Sequence, residues 1–156
     1  MSFDVAAERA VLSGLYQKGY DCYIEICDII DENSFSTTEN SAIFKCLKHI
    51  TSEKGSVADI PSLISASNSL NISKLIQTQE QVKYIRSISS FPVELSNVRK
   101  AAAKLKKLQI AKNLSYTLQE CAEKLKSING EEPITEIISI ARSEEHTSEL
   151  QSRFGI

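Results

Sequence analysis

The sequence predicts an all-α protein: a compact multi-helix head followed by a protruding αα-hairpin. Three observations point to it. Apolar residues recur every three or four positions along most of the chain, and no stretch alternates for long enough to demand a strand. Residues typical of helix starts and stops, including Asp4, Gly19, Asp59 and Gly130, punctuate those stripes. From Ser96 to Asn129 there is neither Pro nor Gly, and strong helix formers dominate.

In chain order, Asp4 is suited to cap a first helix with the inner stripe Ala7, Val11, Leu12, Leu15 and Tyr16, stopped at Gly19, which tolerates positive φ. Tyr23, Ile26, Cys27 and Ile30 form a second short stripe. Ser36 and Glu39 have the spacing of a capping box, with Phe35 as a staple in front of a helix that buries Ile43, Phe44, Leu47 and Ile50 and stops near Gly55. Asp59 caps the next helix, which accepts Pro61 in its first turn and points Leu63, Ile64 and Leu70 inward. Ile72, Leu75 and Ile76, then Val82, Ile85 and Ile88, complete a head assigned to residues 1–95, with Pro92 breaking the pattern.

The long helix that follows carries an apolar seam through Val98, Ala101, Leu105, Leu108, Ala111, Leu118, Ala122 and Leu125. Gly130 ends it, Glu131, Glu132 and Pro133 turn the chain, and Ile134, Ile137, Ile138 and Ala141 begin a returning arm. Residues 96–141 are therefore expected to form the hairpin. Its short second arm leaves seam uncovered, so self-association or another protein is the expected cover. Val98, Leu105, Leu108, Leu118 and Leu125 are the candidate interface residues.

Residues 142–156 read differently. RSEEHTSELQS, Arg142 to Ser152, is identical to the in-frame translation of a common short-read sequencing adapter, and RFGI fits the index that follows such a string. This tail is set aside as non-native before fold reasoning, so His146, Glu144, Glu145 and Glu149 carry no functional weight. The native gene is expected to continue past Ala141.

The chain has 18 Lys and Arg against 20 Asp and Glu; without the tail the counts are 16 and 17, so bulk charge does not argue for nucleic acid. No apolar run approaches the ~20 residues of a membrane span, and acidic Asp4 and Glu8 stand where a signal peptide would be basic. A cytoplasmic location is expected. Cys22, Cys27, Cys46 and Cys121 lack CxxC spacing and are read as buried free thiols, while His49 has no His or Cys at ligand spacing and is read as a surface or half-buried residue. No metal site and no catalytic residue is assigned. There is no GxxxxGK[ST] loop, so the chain itself is expected to bind no ATP and to have no enzymatic activity of its own. Arg99, Lys100, Lys104 and Lys107 form a basic cluster that could face DNA phosphates, although lysines beside an apolar seam more often form its solvated edges.

AERAVLSGL, DENSF followed by AIFKCLKHI, GSVADIPSL, VKYIRSI and NVRKAAAKL, in that order and spacing, resemble the N-terminal domain of DnaB-type replicative DNA helicases over residues 4 to 141. Asn40 stands where that family commonly has His, Ala101 where it often has Tyr, and Lys112 where Arg is usual. The resemblance implies a collar domain whose heads and hairpins pair into a hexameric ring, built as a trimer of dimers. It implies as partners the helicase-binding domain of primase and, in some lineages, a loader, and a parent protein whose motor domain uses ATP and Mg²⁺ to unwind DNA. The alternatives are a stand-alone helical adaptor or loader, and the helicase-binding domain found at the C-terminus of primases.

Overall fold

The computed structural model describes residues 2–142; the reading of the tail as adapter-derived lies outside them except at Arg142, which caps the last helix. The described chain contains eight α-helices and no strand: α1 Val5–Lys18, α2 Tyr20–Ile26, α3 Thr38–Thr51, α4 Ile60–Ser69, α5 Ser73–Ile76, α6 Gln79–Ser90, α7 Leu95–Lys126 and α8 Ile134–Ala141. One 3-10 turn, Glu32–Ser34, lies between α2 and α3. The chain divides into two compact units between Leu108 and Gln109, within α7. The first of these units runs from Ser2 to Leu108 and so takes in the start of α7. The reason is packing: Val98, Ala102 and Leu105, from the first three turns of α7, are buried in the head core.

In the head, α1 packs against α2, α3 and α6, and α3 packs in turn against α4 and α5. Val11, Leu12 and Leu15 are fully buried, as the 3.6-residue period requires of its inward face. Asp4 caps this helix, its carboxylate accepting from the Ala7 amide at 2.9 Å. At the other end Gly19 has φ 57, and a Cβ there would lie 2.6 Å from the Ser56 carbonyl oxygen. Only glycine meets both conditions, so the α1–α2 corner can rest against the loop after α3.

Several local expectations shift. The Ser36/Glu39 capping box does not form: Thr37 caps α3 by accepting from the Asn40 amide at 3.1 Å, while the Ser36 amide is taken by Glu8. The capping box of this stretch is instead Asp31 with Ser34, at the 3-10 turn. Phe35, two residues before the cap, is buried against Phe44 with ring centroids 5.0 Å apart. On α2 the inward residues are Cys22 and Ile26, which leaves Cys27 exposed. α3 stops at Thr51, short of Gly55. Leu70, expected inside, is exposed because α4 ends at Ser69 and the chain turns at Asn71, φ 57. Asp59 caps α4 as expected, accepting from the Ser62 amide at 2.7 Å.

The second unit contains the rest of α7, a turn and α8. Gly130 has φ 93, and the Glu132 carboxylate accepts from the amides of Asn129 at 3.2 Å and Gly130 at 3.0 Å. Pro133 then precedes α8, where its missing N–H costs nothing. The Cys121 thiol reaches the Ile140 carbonyl at 3.8 Å, so α8 runs back beside α7 as an αα-hairpin. Ile137 and Ile140 face inward here, whereas Ile134 and Ile138 are exposed.

Two neighbouring residues on α1 should respond oppositely to alanine. The Ser13 hydroxyl is fully buried with no hydrogen-bond partner. Ser13→Ala removes that desolvated group and improves helix propensity, so a gain of about 1 kcal/mol is expected. At Gly14 an added Cβ lies 2.7 and 2.9 Å from the two methyls of Val98, a side chain that is stiff about χ1. Overpacking of ~1–3 kcal/mol outweighs the propensity gain of up to ~1 kcal/mol, so Gly14→Ala should lose about 1 kcal/mol. Urea denaturation measures both; Val98→Ala combined with Gly14→Ala should relieve the overlap, and strict additivity would refute the close-packing account.

Candidate functional site

The most constrained polar group in the head is Glu8. Lying four residues before Leu12 and seven before Leu15, it shares their inward face, and it is only 1% exposed. One carboxylate oxygen accepts from the Ser36 amide at 2.5 Å and the other from the Asn40 side-chain amide at 2.6 Å. These donors stand at the N-terminus of α3, whose dipole also favours an anion. A buried charge is tolerable when it is hydrogen-bonded in this way.

A cavity of about 420 Å³ opens over this junction, bordered by Phe3, Glu39, Gln81 and Tyr84 as well as Glu8 and Asn40. Burial pushes the Tyr84 phenol above its ordinary pKa, with the neighbouring Arg9 guanidinium opposing the shift. That guanidinium lies 5.7 Å from the Tyr84 ring centroid and 5.9 Å from that of Phe91. Gln17 donates to the carbonyls of Ile88 and Phe91, fastening the end of α6 to α1.

The sequence signal for Glu8 was available as a carboxylate in register with an apolar stripe. Read only as an acidic residue near the N-terminus, it passes as surface charge. Asn40, the departure from the family's usual His, is the side chain that donates to Glu8, so the position still carries a donor.

The candidate interface residues do not share one environment. Val98 and Leu105 are 0% and 2% exposed within the head core, so they hold the head together and present nothing to a partner. Leu108 is half-buried. Leu118 and Leu125 are 56% and 43% exposed and lie seven residues apart on one line of α7. Tyr116 on α7 and Ile134 and Ile138 on α8 are also exposed.

The basic cluster is partly neutralised. Arg99 pairs with Glu25 at 2.7 Å on the surface, a contact worth ~0–1 kcal/mol. Lys104 is ion-paired with Asp4 and, together with the Ala7 amide, holds that carboxyl below its ordinary value. Lys100 and Lys107 are exposed and, among the described residues, make no ion pair. Two of the four cations are thus engaged within the head, and the solvated-edge reading fits them better than a continuous phosphate track. His49 is exposed, and no group of three or more potential metal ligands gathers among the described residues.

An all-helical head with an αα-hairpin defines an architectural class rather than a chemistry. In that class, the crystal structure of the N-terminal domain of DnaB helicase from Mycobacterium tuberculosis superposes with a TM-score of 0.74, over 94% of this chain and 96% of that one, at 14% identity. At such identity the likeness is one of fold. Comparison with curated protein sequences gives no match. The family model of the DnaB-like helicase N-terminal domain matches residues 1–107, nearly the whole head, and the chain belongs to that family.

Removing the Glu8 carboxylate should be costly because it strands two donors. Charge-assisted hydrogen bonds contribute ~1.5–3 kcal/mol each, partly offset by relief of the buried charge, so Glu8→Ala should destabilise the head by about 3 kcal/mol in urea melts. A loss below half that would show that the Ser36 and Asn40 donors find water instead.

The thiols give a second test. Burial raises the Cys22 thiol to about 12 and the Cys46 thiol to about 11. Since the thiolate is the nucleophile, both should stay protonated and unreactive at pH 8, while exposed Cys27 reacts with a thiol reagent. Both buried thiols should react once urea unfolds the head; rapid modification of Cys22 in the native protein would contradict its burial.

Proposed function

We propose that this chain is the assembly and docking module of a replicative DNA helicase, and that its contribution is architectural. The observation that carries the reading, beyond family membership of the head, is the hairpin's line of exposed apolar residues: Leu118 and Leu125 on α7, with Ile134 and Ile138 on α8. Scattered apolar residues on a surface are ordinary. Two leucines in heptad register, accompanied by isoleucines on the adjacent arm, match the pattern by which helices pair.

On this reading the first partner is another copy of the chain, in a ring of six. The helicase-binding domain of primase is a second partner and a loader a third, both working in the cytoplasm at the replication fork. ATP and Mg²⁺ belong to the motor domain of the parent protein, for which this chain carries no phosphate-binding loop. Any DNA contact through Lys100 and Lys107 would add nonspecific, salt-sensitive attraction rather than sequence reading.

Light scattering during size-exclusion chromatography of the full chain tests the proposal. Self-association should rise with concentration, and Leu118→Asp combined with Leu125→Asp should return the chain to monomer with unchanged helical circular dichroism, because unpaired charges cannot be buried in an apolar contact. Unchanged self-association in the double variant would remove the hairpin from the assembly surface.

A further inference from the structure

We propose that the groove beside the C-terminal half of α3, bordered by Tyr23 of α2 and Leu70 at the end of α4, binds an acidic peptide segment of a partner protein, in which carboxylate side chains flank an aliphatic residue. Its positive wall is one face of α3. Lys45, Lys48, His49 and Ser52 follow the i, i+3, i+4, i+7 spacing, so they form a single stripe, and all four are exposed. Tyr23 and Leu70 add apolar surface to the lining. The groove holds about 490 Å³, within the ~300–1,000 Å³ range of ligand sites.

The charges of this wall are not balanced from within. Among the described residues Lys45 makes no ion pair, and Lys48 meets only Glu32, loosely, at 3.7 Å with both side chains partly exposed. Lys45 and Lys48 stand three residues apart on a helix, where like charges repel. Cations in a last turn complement the helix dipole, which accounts for Lys48 and His49, but that effect fades beyond one turn and Lys45 lies earlier. A local excess of lysine also runs against the chain as a whole, whose formal net charge is −2. The Glu32 carboxylate, itself part of the lining, already rests against this face as an anion. A carboxylate from a partner does for Lys45 what Glu32 does for Lys48.

Size and lining select a peptide over a nucleic-acid strand. From Lys45 to Ser52 the helix rises ~10 Å, the length of about three extended peptide residues at ~3.3 Å each. A single strand of nucleic acid is held by a basic track along its backbone and by aromatic faces that stack its bases. Here Tyr23 is half-buried, and Glu32 repels phosphate. Leu70 is 36% exposed and offers contact to an aliphatic side chain instead. The His49 imidazole adds a donor for a carboxylate oxygen. In an extended segment alternate side chains share a side, so an acid–aliphatic–acid sequence presents both carboxylates together and its apolar group opposite. The groove belongs to the head and does not depend on the hairpin's role in assembly.

The probe is the capped peptide N-acetyl-Asp-Leu-Asp-amide, titrated at low ionic strength into the full ¹⁵N-labelled chain and followed by NMR. Saturable shifts should appear at the backbone amides of Lys45, Lys48, His49 and Leu70. The Asn-Leu-Asn counterpart, of the same shape but uncharged, should bind about tenfold more weakly, since it lacks the charge-assisted bonds. Lys45→Gln, at an exposed helix position, should weaken the acidic peptide several-fold with helical circular dichroism unchanged. Glu32→Gln should act in the opposite sense and tighten it several-fold, because it frees Lys48 from its internal competitor. Equal response to the uncharged peptide, equal response to inorganic phosphate, tighter binding of a short oligothymidylate at the same amides, or indifference to both substitutions would each overturn the assignment.

Discussion

The head depends on one buried carboxylate. Glu8 lies on α1, which packs against α2, α3 and α6, and its two hydrogen bonds tie that helix to the start of α3. Because the Ser36 amide is committed to Glu8, α3 starts at Thr38 under a Thr37 cap. That starting point sets the rotation of α3, and with it which residues face α1: Ile43, Phe44 and Leu47 go inside, and Lys45 and Lys48 outside. An apolar residue at position 8 could fill the volume, but it would not specify the position of a helix start. Polar burial here exchanges some stability for a defined geometry.

α7 serves two different physical purposes along its 32 residues. Its first turns are core material, packed so tightly against α1 that Gly14 has no room for a Cβ. Farther on, past Gln109, the same helix is one arm of a hairpin and exposes apolar residues. The periodicity is continuous across the change, so the sequence reads as one seam. Burial alone distinguishes Leu105, packed in the head core, from Leu118, which is exposed.

This explains what could and could not be read beforehand. Helix existence, the Asp4 and Asp59 caps, the Gly19 stop and the hairpin turn at Gly130 were legible because each follows from local chemistry. The start of α3 was not, since the S-x-x-E spacing of Ser36 and Glu39 competes with a carboxylate 28 residues upstream. The same limit applies to the candidate interface: a stripe every three or four residues shows that a face is apolar, but not which neighbour covers it. Cys27, expected inside, is exposed for a related reason, because a seven-residue helix between two corners has little room to establish its inward side.

The small turn before α3 has a consequence for how the chain reaches this state. On synthesis, Glu8 emerges 28 residues ahead of the Ser36 amide and 32 ahead of the Asn40 side chain, and it must stay hydrated until both arrive. Closing a flexible loop costs more as it lengthens, by about 0.6 kcal/mol per doubling. The Asp31–Ser34 capping box needs only four consecutive residues, so it can form at once and hand α3 an ordered approach to α1. Helix α2 removes a further seven residues from the free length. A long-range polar contact is thereby assembled from short-range pieces, and the desolvation of the carboxylate can come last.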